Sequence, residues 1–187
     1  MVVGATETTK GCIKYECECN EHIVEKYFPK AAAANIEMNG YYYLTLDDAL
    51  YVAEGGETIT LHGTVVGEGL VIEKDITINF NGNIFVASTV VEGTVATVKI
   101  AEDAEVTFIG NGGLDVLTMN RSAFGILVLN EGKLTTIGDV KLNGKYLYNG
   151  TESWVVYNAG NGAAELSAET IITPSIMGGA NKTNFAV

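Results

Sequence analysis

The chain has 187 residues and a mass of 19.8 kDa, enough for one domain with a real core and an appendage, which excludes a tandem multidomain enzyme. Acidic residues outnumber basic ones 23 to 11, for a net charge of -12, so a polyanion is repelled and neither nucleic acid nor an anionic membrane surface is an expected partner. Apolar residues make up 47% and charged residues 18%, which is not the composition of a disordered chain.

No apolar run approaches the roughly 18 residues that span a bilayer. The opening MVVGATETTKGC lacks the basic and apolar regions of a secretory signal, so a soluble protein made in cytoplasm is expected. The three cysteines, Cys12, Cys17 and Cys19, are odd in number and closely spaced, which fits a reducing compartment better than a disulfide scaffold.

Residues 1–40 read as an N-terminal arm, too poor in apolar residues for a core of their own. Cys12, Cys17, Cys19 and His22 have the ligand types for tetrahedral Zn²⁺, but the spacing C-x4-C-x-C-x2-H lacks the usual C-x2-C knuckle. Alternation in KYECECN points instead to a strand with Tyr15, Cys17 and Cys19 on one buried face and Lys14, Glu16 and Glu18 in solvent. Contact with a partner is expected through Tyr15, Cys17, Cys19, Tyr27 and Phe28. Pro29 interrupts whatever begins at His22, and the alanines of AAAAN leave a helical turn and a linker both open.

Residues 41–57 carry a helix and the entry to a β-rich region. Thr45 is placed to cap the helix, with Asp48 three positions on as the capping-box acid. Leu46, Ala49, Leu50 and Ala53 recur at helical spacing, predicting a helix of about nine residues with one apolar face, and Gly55 and Gly56 end it. The period then switches to two, with Ile59 and Leu61 on one side and Thr58 and Thr60 on the other.

Residues 58–187 continue as short β-rich runs: 76–80, 84–87, 97–100, 106–109, 114–117, 126–129, 134–137 and 154–157. Self-comparison at a shift of 28 lays Ile100 on Val128, Val106 on Leu134, Ile109 on Ile137 and Gly110 on Gly138. A third copy starts at Val155 with about one added residue in its turn, and the run at Ile76 precedes Val106 by 30. Units of 28 to 30 residues with about three strands each predict an all-β, parallel β-helix of four to five coils. A sandwich is the alternative, but it would join its runs by hairpins and show no period near 29. The helix then has a place, across an open end whose apolar rungs and unpaired backbone need cover. After Ile172 no second amphipathic segment is present, and the irregular tail leaves the last coil to be covered by itself or by other subunits, most simply in a homotrimer.

In this setting LTLDDALYVAEGGETITL, Leu44 to Leu61, resembles the opening of right-handed parallel β-helix modules of the pectin-lyase-like class. There a Leu-x-x-Ala helix precedes a Gly-[Asp/Glu]-Thr-[Ile/Val]-x-Leu strand, and DITINFNGN is similar to a rung of that class, with Asn79 where Asp is usual. The resemblance covers about residues 41–172 and implies fold more than function, since the class includes polysaccharide lyases, bacterial surface repeats and phage virion proteins. It implies a phage capsid decoration or head fibre, bound to a capsid or other virion protein through the arm and assembled in host cytoplasm. A bacterial surface adhesin is the first alternative reading and a carbohydrate-active β-helix enzyme the second, and a host-surface glycan is a further partner to consider.

Catalysis is not expected, and no cofactor is implied. The clustered Asp, His and basic groups of polygalacturonase-like sites are missing, Asp47 and Asp48 form the one Asp pair and sit on the helix, and Arg121 is the sole arginine. Glu102, Asp103 and Glu105 have the oxygen chemistry of a hard-cation site but read as a solvated turn. His62 reads as a structural polar residue. Tyr41 to Tyr43, Tyr146, Tyr148, Trp154 and Tyr157 are open between a ligand surface and packing of the cap and widest coil. The triplets at Asn120, Asn149 and Asn181 read as incidental sequons. Residues 1–57 hold 10 acids and 4 bases, half the net charge in under a third of the chain, so a basic patch is expected on the arm's partner.

Overall fold

A computed structural model describes residues 1–16, 23–30, 34–117, 125–147, 152–175 and 183–185. The N-terminal part holds strands β1 (Val2–Val3), β2 (Gly11–Glu16), β3 (Ile23–Phe28), β4 (Ile36–Met38) and β5 (Tyr41–Tyr42), then helix α1 (Leu46–Val52). The rest winds as a parallel β-solenoid. Its strands are β6 (Glu57–Leu61), β7 (Val65–Gly67) and β8 (Leu70–Ile72), then β9 (Ile76–Asn79), β10 (Ile84–Ala87) and β11 (Ala96–Ile100). They continue as β12 (Glu105–Ile109), β13 (Gly113–Val116), β14 (Ile126–Asn130), β15 (Lys133–Ile137), β16 (Lys141–Asn143) and β17 (Glu152–Asn158), and end with β18 (Ala163–Glu165), β19 (Ile171–Thr173) and β20 (Thr183–Phe185).

Every third strand stacks on the one before it. Sheet one holds β6, β9, β12, β15 and β18, sheet two β7, β10, β13, β16 and β19, and sheet three β8, β11, β14, β17 and β20, all in parallel. The solenoid amounts to about three turns rather than the four to five expected. Six of its strands, β7, β8, β16, β18, β19 and β20, are only three residues long.

Inward columns of side chains fill the coil. Ile59, Ile78, Phe108 and Thr136 succeed one another in sheet one, and Phe85, Leu114 and Leu142 in sheet two, all nearly or wholly buried. No unit buries its own apolar face without the next, so the stack itself supplies the core. Corners are made by polar side chains and left-handed residues. Asn81 and Gly82 adopt φ of 49° and 80°, and the side-chain Nδ2 groups of Asn81 and Asn83 donate to the Leu61 carbonyl of the preceding rung at 3.3 and 3.0 Å. An Asn-Gly pair that elsewhere marks a hairpin here turns a solenoid corner.

The 28-residue repeat holds in one sheet and slips in another. Val106 faces Leu134 and Ile109 faces Ile137, and Ile76 faces Val106 at the expected 30. Ile100, however, faces Asn130 rather than Val128. Four residues join β11 to β12 and only two join β14 to β15, so a uniform shift cannot serve both sheets. The third copy shows the same trade: Val128 faces Val156 at 28, while Lys133 faces Ala163 at 30.

The open end of the solenoid is sealed by more than the helix. Thr45 Oγ1 accepts the Asp48 amide at 3.0 Å and Asp48 accepts the Thr45 amide at 3.2 Å, the reciprocal capping box that the spacing predicts. Leu46, Ala49, Leu50 and Ala53 are buried, but the helix has seven residues, because the Glu57 carboxylate takes the amides of Glu54 and Gly55 at 3.1 and 2.7 Å and turns the chain. The hydrogen-bonding edge of β6 is covered by β4, which pairs antiparallel to it with Ile36 opposite Leu61 and Met38 opposite Ile59. A helix can bury apolar ends but cannot pair strand amides, so the cover expected of the helix is shared with a strand.

The first 40 residues are also more built than an extended arm. β1, β2 and β3 form an antiparallel sheet in that order, and Ala5 exchanges two backbone hydrogen bonds of 2.7 Å with Tyr42. Ala5, Ile13 and Phe28 make a small buried cluster against Val2, Tyr42 and Leu44, a core the apolar count did not anticipate.

Candidate interaction surfaces

Cross-strand register divides the N-terminal sheet into two faces. Gly11 pairs with Phe28, Ile13 with Lys26 and Tyr15 with Val24, and these share one side. Near the base that side is buried, Phe28 being 3% exposed. Further out it runs past the cluster, and Tyr15 and Val24 are 58% and 60% exposed. The opposite side presents Ile23 and Tyr27, also more than half exposed. β3 pairs only with β2 among the described residues, so its other edge is open.

The residues expected to meet a partner therefore separate. Tyr15 and Tyr27 lie at the surface. Phe28 is a correction, because it is the floor of the small core and has little surface to offer. Tyr15 is likewise not on a buried face as the alternation of KYECECN suggests, since the hairpin overhangs the body that would have covered it. Cys17, Cys19 and His22 lie outside the described residues, as do Arg121, Tyr148, Asn120, Asn149 and Asn181. Cys12 is a half-buried free thiol opposite Tyr27. Ile23 and Val24 were missed, although Ile23–Phe28 is an unbroken run of β-branched, charged and aromatic residues ending at a proline, which is a strand signal.

The Tyr27 hydroxyl donates to Glu25 Oε2 at 2.7 Å. That bond and the carboxylate charge favour the neutral phenol and push its pKa up to about 12.

Acids elsewhere are occupied structurally. Asp48 belongs to the capping box. Asp47 flanks two shallow clefts between α1 and the first rung, of about 350 and 400 Å³. Burial first, then the charges of Asp48 and Glu68, hold its carboxyl above the ordinary range. Glu102 accepts from Asn161 at 3.4 Å and Glu105 lies 3.8 Å from Lys133, so these two turn acids face different partners. Among the described residues no three His, Cys, Asp or Glu side chains converge as for a metal. His62 sits at the junction of β4 and β6, its Nε2 3.8 Å from Glu37 and its ring against Tyr42.

The aromatic residues also divide. Tyr43 is buried in the cap and Tyr146 packs against the solenoid core. Trp154 and Tyr157 stand on the outside of sheet three with ring centroids 5.1 Å apart. Comparison with protein-family models, curated proteins and solved structures finds no match.

Proposed function

We propose that this chain is a non-enzymatic virion structural protein of the capsid-decoration or head-fibre type, attached through its N-terminal hairpin and projecting the solenoid. The observation that carries the reading is the overhang of β2 and β3, which holds Tyr15, Ile23, Val24 and Tyr27 in solvent beyond the small core. An apolar strand pair with an open edge is a surface that a partner strand or groove can complete. The half of the net charge on residues 1–57 favours a partner with a basic surround. The virion setting rests on the resemblance of the opening helix and first strand, and the non-enzymatic part on the missing acid, His and Arg constellations of the sequence. Oligomerisation is supported by the last rung, where β18, β19 and β20 each pair on one side only among the described residues. A homotrimer covers these edges in a closed ring.

The test is fractionation of the cells that make the protein. The full chain is expected to sediment with virus particles, and the double variant Tyr15→Ser, Tyr27→Ser to remain in the supernatant with an unchanged circular dichroism spectrum. Recovery in the cell envelope, or undiminished particle binding by the variant, overturns the proposal. Sedimentation as a strict 19.8 kDa monomer at micromolar concentration overturns the trimer.

A further inference from the structure

The first rung has a strand partner on only one of its three sides. β4 pairs with β6, whereas β7 and β8 each pair on one edge only among the described residues. Beside those two edges runs α1, separated from them by the two clefts of about 350 and 400 Å³ that share Asp47. The Ile72 carbonyl accepts the Ala101 amide at 2.9 Å, on the β11 side. Successive residues of a strand point their amides and carbonyls to opposite edges, so those of Val71 face the open edge. In β7 the Ser88 amide on the Gly67 carbonyl, at 2.7 Å, turns Val66 the same way. The helix cannot pair with these groups, because its own amides and carbonyls are used along its axis.

Side chains around this groove are acidic and partly apolar. Asp47 and Tyr51 stand one turn apart on the outer face of α1, and Tyr51 is 66% exposed. Val71 and Glu73 are exposed along β8 and just past it, and Glu68 is exposed at the corner between β7 and β8. Acids in the ion pairs of the described residues are Glu7, Glu37, Glu105 and Glu131, so among those residues Asp47, Glu68 and Glu73 have no cation. Lys74, at the end of the groove, is turned to the helix and donates to the Ala53 and Tyr51 carbonyls. The raised Asp47 carboxyl fits this setting, since the charges of Asp48 and Glu68 add to its burial.

Backbone and charge together choose the occupant. A small cation would answer the acids and leave the strand edge unpaired, and a helix would leave that edge unpaired too. An extended segment answers both, its backbone pairing with β8 and its alternate side chains reaching the carboxylates. A chain of net charge -12 also attracts a basic segment and repels an acidic one. We infer that the groove between α1 and β8 is a docking site for a basic, extended segment of a partner protein, added as a strand at Val71 with Arg or Lys side chains against Asp47 and Glu73. The site stands independently of attachment through the hairpin, which uses β2 and β3.

The probe is a fluorescein-labelled peptide of alternating arginine and valine, titrated with full-length protein and followed by anisotropy. Saturable binding is expected with half-saturation at about 100 µM or below. The double variant Asp47→Asn, Glu73→Gln, with an unchanged circular dichroism spectrum, should weaken it about tenfold or more. Two further peptides, methylated on every valine nitrogen or on every arginine nitrogen, keep the charge and lose alternate backbone donors. At least one of them should bind about tenfold or more weakly, because strand addition uses one set of donors. The inference fails if no saturation is reached by about 1 mM, or if the folded groove variant binds as wild type. It fails if both methylated peptides bind like the parent, which would leave charge alone as the attraction, or if a peptide with glutamate for arginine binds as well. Loss of binding in Tyr15→Ser, Tyr27→Ser would place the peptide on the hairpin and overturn it. Self-association that the groove variant abolishes would assign the groove to a second copy and overturn it as well.

Discussion

Phe80 and Phe108 meet edge to face across two successive rungs, with centroids 5.5 Å apart at 67° and both side chains fully buried. Phe108 also stands between Ile78 and Thr136 in its inward column, so its loss opens the middle of the stack rather than an end. Phe108→Ala is expected to destabilise the solenoid by about 3–5 kcal/mol through lost transfer energy and an unfilled cavity. Urea unfolding measures it, and a loss under about 1 kcal/mol would mean that the rungs repack around the gap.

The turn after the helix gives a pH-dependent prediction. Glu57 is held below its ordinary value of 4.5, because it accepts the amides of Glu54 and Gly55. A depressed folded pKa contributes stability that is present above the unfolded value and lost as pH falls through the folded one. Glu57→Gln should therefore cost about 1 kcal/mol or less at pH 7, since the group is near solvent. The difference from wild type should shrink steadily below pH 4.5, as read by melting temperature across pH. A constant difference down to about pH 2 would assign the effect to shape rather than charge.

At the helix start, Thr45→Ala removes the Oγ1 that accepts the Asp48 backbone amide, while the backbone amide at position 45 that donates to the Asp48 carboxylate is kept. The expected cost is about 1 kcal/mol, or roughly 2–4 °C in melting temperature. In a double-mutant cycle with Asp48→Ala, the combined loss should be smaller than the sum of the two single losses. Simple additivity would show that the two bonds are not coupled.

Gly113 is required by close stacking in sheet two. A Cβ there would run into the backbone carbonyl of Lys141 on the next rung, which cannot swing aside as a side chain can. Gly113→Ala is expected to cost about 1–3 kcal/mol through a forced backbone shift. Weakened amide-exchange protection should be confined first to β13 and β16, and uniform loss across the solenoid would contradict this origin.

The hairpin separates contact from support. Phe28→Ala empties the small core under β2 and β3 and should destabilise the N-terminal sheet by about 3 kcal/mol, with the solenoid left folded. Tyr15→Ser, being exposed, should change stability by less than about 0.5 kcal/mol. Glu25→Gln should bring the Tyr27 phenol down from about 12 toward 10.0, observable in its ultraviolet titration. An unchanged titration would mean that Glu25 is not its acceptor.

Much of the fold was readable because it repeats locally. Thr45, Asp48 and the Leu46, Ala49, Leu50, Ala53 face announced the helix, and each strand of four residues or more from β6 to β17 coincides with a run of alternating or β-branched residues. The solenoid strands that escaped, β7, β8, β16, β18, β19 and β20, have three residues each, too few to show a period. β4 escaped for another reason. Ile36, Glu37 and Met38 form a strand only because the edge of β6 offers them amides to pair with.

The candidate surfaces were less legible. Tyr15, Tyr27, Trp154 and Tyr157 are conspicuous as aromatic residues, but nothing local says whether a neighbour covers them. Phe28 and Tyr43 are aromatic too, and both are buried.

Alternation, period and the helical face are properties of neighbouring residues, and they are enough to specify a parallel solenoid with a helix before its first rung. Register, edge sealing and exposure depend on elements far apart in the chain. A two-residue slip keeps every side chain on its own face, so Ile100 can meet Val128 or Asn130 with the same apolar pattern. Only the stacking of rungs with unequal turns chose Asn130. The same packing made β4 the strand that closes the open edge, set Phe28 under the hairpin, and turned Trp154 and Tyr157 outward.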